Sequence, residues 1–287
     1  MSKTRMSQLY LVLLICCPLF SQKLELQSTV ESSFPRFEYV TELSRYLAYV
    51  SEGKSIVLLQ DTGKVVIQQE DYYIWSLDYN RNNGKIVYTF GSADAADIAI
   101  FDIVTKTRFL VGTDISNRSK EIPIASFGDA HWIDSDSVVF VSVGNDFQKR
   151  LVKYNLLDRS LTLLAEEREI GKVSVNKTFG IVVYESILDN TYHNHVLNLT
   201  TGKDLVFSQK QYSSIVPISD RSYLATTYES TIVSSRFFGD MHAEESASND
   251  EIDAILDYDE KTKRLVAWTN RSLGIIQFSI YLVDGFE

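Results

Sequence analysis

The stretch Tyr73-Ile-Trp-Ser-Leu-Asp78, Lys85-Ile-Val-Tyr-Thr-Phe90, Asp97-Ile-Ala-Ile-Phe-Asp102 and Thr107-Arg-Phe-Leu-Val111 decides how the rest of the chain is read. It holds four short segments rich in β-branched and aromatic residues, the pattern of strands. Polar, turn-like residues separate them: Asn80-Arg-Asn-Asn-Gly84, Gly91-Ser-Ala-Asp94 and Ile103-Val-Thr-Lys106. Asn, Asp, Ser and Gly bend a chain because their side chains mimic turn hydrogen bonds or tolerate positive φ. The reading is a four-stranded antiparallel unit with Lys85–Phe90 as its most apolar strand.

Five further segments match that strand: Arg45–Val50, Ser137–Ser142, Gly180–Glu185, Ser222–Thr227 and Arg264–Thr269. Their third residues, with that of Lys85–Phe90, are Leu47, Val87, Val139, Val182, Leu224 and Val266, at intervals of 40, 52, 43, 42 and 42. A period near 40–45 with several strands per unit predicts a β-propeller. The 52-residue interval has a local cause: residues 112–128 are polar and lack a strand pattern, predicting a long loop, either functional or a simple insertion.

The last unit offers three strands, Ile252–Leu256, Arg264–Thr269 and Gly274–Leu282. The alternating segment Lys23–Thr29 is predicted to supply the fourth and to join first and last blades, since an unpaired edge invites aggregation. The fifth unit shows no clear outer strand after Phe237-Phe-Gly239. The expectation is therefore an all-β chain: a six-bladed β-propeller of four-stranded antiparallel blades closed by an N-terminal strand.

Strand, Ser-Asp-type turn, apolar strand, loop, strand ending near Asp, Thr-Gly-Lys turn and strand: this order resembles the TolB-like (WD40-like) six-bladed β-propellers. The resemblance covers roughly residues 35–287. The usual Ser-Pro-Asp-Gly-Lys turn is degraded here, Ser219-Asp-Arg-Ser222 being its nearest version. A related propeller caps the prolyl oligopeptidases, but the chain has no Gly-x-Ser-x-Gly elbow and no residues left for a hydrolase domain, so that family's functional residues do not carry over. Six-bladed lactonases hold a channel metal on carboxylate and Asn ligands, and that constellation does not map onto these units.

Residues 1–22 read as a secretory signal peptide: Lys3 and Arg5 precede an apolar run of 12 residues, Leu9–Phe20, too short to span a bilayer. An uncleaved anchor and lipid attachment at Cys17 are the rivals. Residues 23–287 form a single propeller domain, in a secreted, periplasmic or extracellular setting. Cys16 and Cys17 both fall in the signal, so the remainder has no disulfide, thiolate nucleophile or zinc–sulfur site. Four sequons, beginning at Asn117, Asn176, Asn198 and Asn270, matter only in a eukaryotic secretory pathway. The net charge of −10, or −12 without Lys3 and Arg5, repels phosphate backbones and argues against nucleic acid as a partner.

No residue set carries a catalytic signature, and no cofactor or metal site is predicted. His193 and His195 share a strand face and could bind a metal, but are read as exposed polar residues at a loop edge. His131-Trp132 is assigned to an inner strand, in ordinary packing. The nine carboxylates between Asp240 and Glu260 lack calcium-loop spacing and read as a solvated acidic loop. The predicted function is non-catalytic binding of a protein or peptide by loops at one mouth, those joining second to third strands and blade to blade. Asp94, Asn145, Asp146, Tyr192, His193 and Asp240 are its candidate residues. The alternatives are a metal-dependent lactonase or hydrolase-type enzyme with a channel site, and carbohydrate or cell-surface attachment.

Overall fold

The computed structural model describes residues 23–284 except 33–39, 44–45, 52, 61–62, 93–94, 119–121, 230, 238–244, 249–251, 260–262 and 273–274. Strand β1 spans Lys23–Ser32. A first hairpin series follows: β2 (Val40–Leu43), β3 (Tyr46–Ser51), β4 (Ser55–Gln60) and β5 (Gly63–Gln69). The stretch quoted at the outset becomes β6 (Tyr73–Asn80), β7 (Lys85–Ser92), β8 (Ala95–Asp102) and β9 (Thr107–Leu110). A helix, α1 (Gly112–Arg118), precedes β10 (Ser126–Trp132), β11 (Ser137–Val143), β12 (Lys149–Asn155) and β13 (Leu161–Glu167). Then come β14 (Ile170–Asn176), β15 (Ile181–Leu188), β16 (Thr191–Asn198) and β17 (Lys203–Ser208). The remaining strands are β18 (Ser214–Pro217), β19 (Ser222–Thr226), β20 (Thr231–Arg236), β21 (Glu245–Ser248), β22 (Ala254–Asp259), β23 (Arg264–Ser272) and β24 (Ile275–Asp284).

These strands form six four-stranded sheets among the described residues. Five are sequential meanders, and the sixth runs β1-β24-β23-β22. In that sheet β1 lies antiparallel to β24, with Leu24 opposite Val283 and Ser28 opposite Ile280. The first strands β2, β6, β10, β14, β18 and β22 touch one another in chain order, and β22 touches β2.

The apolar second strands are continuous runs because each faces two neighbouring sheets. In β7, Ile86 and Tyr88 pack with Val50, Ile56 and Leu58, while Val87 between them packs with Trp132 and Phe140. In β11, Val138 and Phe140 join that second cluster, whereas Val139 and Val141 join Val182 and Tyr184. Each fully buried aliphatic or aromatic side chain contributes roughly 1.5–3 kcal/mol, so the inter-sheet layers are where stability resides.

Three expectations change. The 112–128 stretch carries α1, whose Ile115 is fully buried against Phe127 and Trp132 and whose Asp114 accepts a hydrogen bond from the Tyr154 hydroxyl at 2.7 Å. One apolar residue per turn was too little periodicity to reveal it. The fifth sheet has an outer strand, β21, paired with Thr231–Ser234 of β20. Its sequence, Glu-Ser-Ala-Ser, carries no apolar signal because backbone pairing alone defines it. The acidic 240–260 stretch is not one loop: β22 passes through it, and Ala254 and Ile255 are buried.

Candidate functional site

The first strands run side by side in the same direction, as the constant offsets of their cross-sheet bonds show. The Ser76 hydroxyl accepts from the Ala130 N–H, and the Asp78 carboxylate accepts from the Trp132 N–H at 2.7 Å. The Ser174 hydroxyl and Asn176 amide donate to the carbonyls of Ile215 and Pro217. These first strands, β6 with β10 and β14 with β18, therefore start at one mouth and end at the other. The mouth where first strands start also carries the second-to-third-strand turns. The far mouth carries the first-to-second-strand turns, which include Arg81–Gly84, Ile133–Asp136 and Lys177–Gly180.

A cavity of about 310 Å³ occupies the far mouth. It is walled by the ends of β6, β10, β14 and β22: Tyr79 to Asn82, Ile133 and Asp134, Val175 to Thr178, and Asp257 to Tyr258 and Asp259. Asn residues make this end rigid. Asn80 closes its own turn by accepting from the Asn82 N–H, and its amide donates to the Asp134 carbonyl of the next sheet at 2.5 Å. Asn176 accepts from the Thr178 N–H and donates to Pro217 in the same way. The side chains thus serve as Asx turns and as latches between sheets.

Charge inside this end is concentrated. The Lys177 ammonium donates to Asp78 at 2.7 Å and to the Tyr79 carbonyl at 2.6 Å. Arg81 pairs with Asp259. Burial pushes the Asp257 carboxyl up to about 6, with Lys177 opposing the shift and Asp78 reinforcing it. Burial opposes charging of His131, but Asp129 at 3.6 Å and Asp78 outweigh it and hold the imidazole above its ordinary range.

The sequence reading missed this cluster, although the signal was present. The first-strand residues paired with the six third-position residues Leu47, Val87, Val139, Val182, Leu224 and Val266 are Glu42, Asp78, His131, Val175, Val216 and Asp257. Four of these six are ionisable, at a position that Val175 and Val216 fill with an apolar side chain in their own strands. Aligning the first strands as well as the second would have exposed the row.

Of the residues nominated from sequence, Asn145, Asp146, Tyr192 and His193 sit at the opposite mouth. Asp94 and Asp240 lie outside the described residues. Asn145 and Asp146 are exposed in the β11–β12 turn, where Asp146 is held down at about 2 by Arg150. Tyr192 and His193 are half-buried on β16. His195 departs from its expected exposure: it is 9% exposed, stacks on Tyr184 at 4.4 Å, and its Nε2 lies 2.9 Å from the Ser186 hydroxyl. Its Nδ1 is 3.5 Å from Asp204, which also accepts from the Tyr184 hydroxyl. The Ser186–His195–Asp204 order suggests a relay, but Ser186 is 2% exposed and no substrate carbonyl could reach it. Trp132 is fully buried in the core, and Trp75, partly buried, donates to the Gly91 carbonyl at 2.8 Å. Among the described residues, no group of three or more His, Cys, Asp or Glu is arranged to hold a metal ion.

No protein-family model and no curated protein matches the chain. Solved structures do. A gluconolactonase from Xanthomonas campestris superposes with a TM-score of 0.63 at 10% identity, over 92% of this chain and 91% of that one. The fold is a β-propeller. TolB from Acinetobacter baumannii aligns at 0.56 and 10% identity over 85% of the propeller and 63% of its own chain. One chain of a nidogen/laminin complex aligns at 0.55 and 9% identity, covering 74% and 79%. At these identities the likeness concerns the fold alone. Such propellers include both binding proteins and enzymes, so the sites on this one must be argued from its own residues.

Proposed function

We propose that residues 23–287 form one six-bladed propeller, closed by β1, that is exported by residues 1–22 and binds a protein or peptide without catalysing a reaction. Six four-stranded sheets and the cyclic contacts of their first strands support the ring. The observation that carries the binding reading is a set of exposed large side chains at one mouth. Tyr72, Tyr73, Phe147, Leu188 and Tyr228 are each more than half exposed, and all lie at first-strand starts or in second-to-third-strand hairpins. Lysines back two of them: Lys54 lies 5.7 Å from the Tyr73 ring centre and Lys172 5.4 Å from that of Tyr228. Aromatic anchors of this kind dominate binding energy at protein interfaces. Asn145, Asp146, Tyr192 and His193 belong to the same mouth and would form its polar rim; the candidates Asp94 and Asp240 lie outside the described residues. The propellers of TolB and of the nidogen/laminin complex are precedents for the architecture in binding proteins.

The test is affinity capture from native envelope or secretion fractions with residues 23–287 as bait. A bait carrying Tyr73→Ser, Phe147→Ser and Tyr228→Ser should lose the captured partner. Equal capture by both baits would remove this mouth as the contact. A second reading, a small-molecule enzyme working in the channel, is favoured by the cavity at the far mouth and by the likeness to a gluconolactonase. Turnover of lactones that disappears on Asp257→Asn substitution would support it over the first.

A further inference from the structure

Two of the four sequon asparagines flank one residue. Ile181 on β15 pairs with Asn176 of β14 on one side and with Asn198 of β16 on the other. The two asparagines therefore sit at the same height in one sheet, on its first and third strands, and their amides are used differently. Asn176 is 6% exposed. Its Nδ2 donates to the Pro217 carbonyl of the next sheet at 3.2 Å, and its Oδ1 accepts from the Thr178 and Phe179 N–H groups. Both ends of that amide are committed, and a sugar on Nδ2 would have to displace the neighbouring sheet. The side chains of Asn117 and Asn270 lie outside the described residues.

Asn198 opens the β16–β17 hairpin. Its Oδ1 accepts from the Thr200 N–H at 3.0 Å and the Thr201 N–H at 2.9 Å, closing an Asx turn. The same turn closes the corresponding hairpins of the two preceding sheets: Asp102 accepts from Val104 and Thr105, and Asn155 from Leu157 and Asp158. Asp102 has no amide nitrogen, so the turn needs only the oxygen. Asn155 uses its Nδ2 on the Ser137 hydroxyl across the sheet. The residue across from Asn198 is Ile181, whose side chain has no acceptor, and the Asn198 Nδ2 makes no hydrogen bond among the described residues. Thr200, Thr201 and Gly202 are exposed, and a side chain added at Gly202 would meet nothing within 4 Å.

We infer that Asn198 is a glycan-acceptor site: exported by residues 1–22 into a eukaryotic secretory lumen, as the proposed function requires of export, it takes an N-linked oligosaccharide on Nδ2 while Asn176 stays bare. Thr200 supplies the hydroxyl residue that such an acceptor carries two positions on. The donor is an oligosaccharide held on a lipid pyrophosphate. Nδ2 bonds to the anomeric carbon, the carbon–oxygen bond to the pyrophosphate breaks, the lipid pyrophosphate leaves with the bonding pair, and Nδ2 gives up one proton. Oδ1 keeps both turn bonds throughout. A glycan on nascent Asn176 would instead abolish its latch to Pro217, so chains modified there do not join the folded pool. Third-to-fourth-strand hairpins lie at the end opposite the aromatic mouth, so the sugar leaves that mouth uncovered. It stands at the head of β17, the outermost strand of its sheet, where Val206 is 46% exposed. A bulky, solubilising group there screens that edge from other chains.

The test is expression of the full chain in a secreting insect cell line. Protein from the medium is treated with peptide N-glycosidase in heavy-oxygen water and mapped by mass spectrometry, which marks each formerly glycosylated Asn as labelled Asp. The expected result is label at Asn198 in most secreted molecules and none at Asn176. Asn198→Asp keeps the turn oxygen, as Asp102 does, so this variant should be secreted and melt like the deglycosylated wild type while losing one glycan. Thr200→Ala should lose the same glycan with Asn198 in place. Secreted protein with unlabelled Asn198 overturns the inference, as does label at Asn176 in folded protein or an Asn198 glycan that survives Thr200→Ala. A chain retained in the cytosol with residues 1–22 attached would instead fail the export reading, and the acceptor assignment with it. None of these outcomes bears on binding at the aromatic mouth.

Discussion

The Lys177 ammonium lies 2.7 Å from Asp78, a residue 99 positions earlier and two sheets away, bridging β14 and β6 past β10. Asp78 also holds the Trp132 N–H, so one 7%-exposed carboxylate ties three consecutive sheets together. Removing the ammonium leaves that carboxylate buried and uncompensated. Lys177→Met should therefore cost about 3–5 kcal/mol, read from the urea midpoint. The double variant with Asp78→Asn should cost less than the two single losses added together. Additivity would show that the pair is not coupled.

Asp257 predicts an unusual pH dependence. Its folded value, about 6, is above that of a free carboxylate. The folded state thus binds the proton more tightly, and the associated stability is full at low pH and falls as pH rises through about 6. Asp257→Asn should remove that slope and raise stability near neutral pH by an amount on the order of 1–3 kcal/mol. Denaturation midpoints measured across this range would show an unchanged slope if the carboxyl were ordinary.

Arg150 is 4% exposed and clamps two carboxylates, Asp146 in its own hairpin turn and Glu166 on β13 at 2.6 Å. Lysine cannot span both with one ammonium, so Arg150→Lys should cost about 1–2 kcal/mol. Asp146, its side chain 44% exposed and held at about 2 by this clamp, contributes stability that is retained above the free-carboxylate range and lost as pH falls toward its folded value. Loss of the clamp should flatten the acid limb of the stability profile.

Strand β1 covers the edge of β24 over nearly its whole length, from Lys23 opposite Asp284 to Ser32 opposite Ile276. A chain lacking residues 23–32 should expose that edge, self-associate in size-exclusion chromatography, and lose a single cooperative calorimetric transition. A monomeric truncation with unchanged melting would show that β1 is dispensable for the fold.

The continuous apolar runs that made β7, β11 and β15 readable as strands are a local property. They are short, rich in β-branched and aromatic residues and bounded by turn residues, and they located all six second strands without any knowledge of what they would meet. The same locality explains what was missed. Helix α1 shows a single buried anchor, and β21 is defined by its neighbour's backbone. His195 looked like a loop residue because nothing nearby in the chain announces the Tyr184 ring it stacks on.

The sequence by itself determined that this protein is built from repeated short strands with turns of fixed chemistry, because strand period and turn preference act over a few residues. Only the tertiary structure decided which ionisable residues meet. Asp78, Lys177 and Asp257 lie on three different sheets, and their proximity depends on first strands that run alongside one another from the same mouth. That arrangement is a property of sheets packing on sheets: the repeat aligns Asp78 with Asp257, but no interval along the chain brings Lys177 across β10 to Asp78.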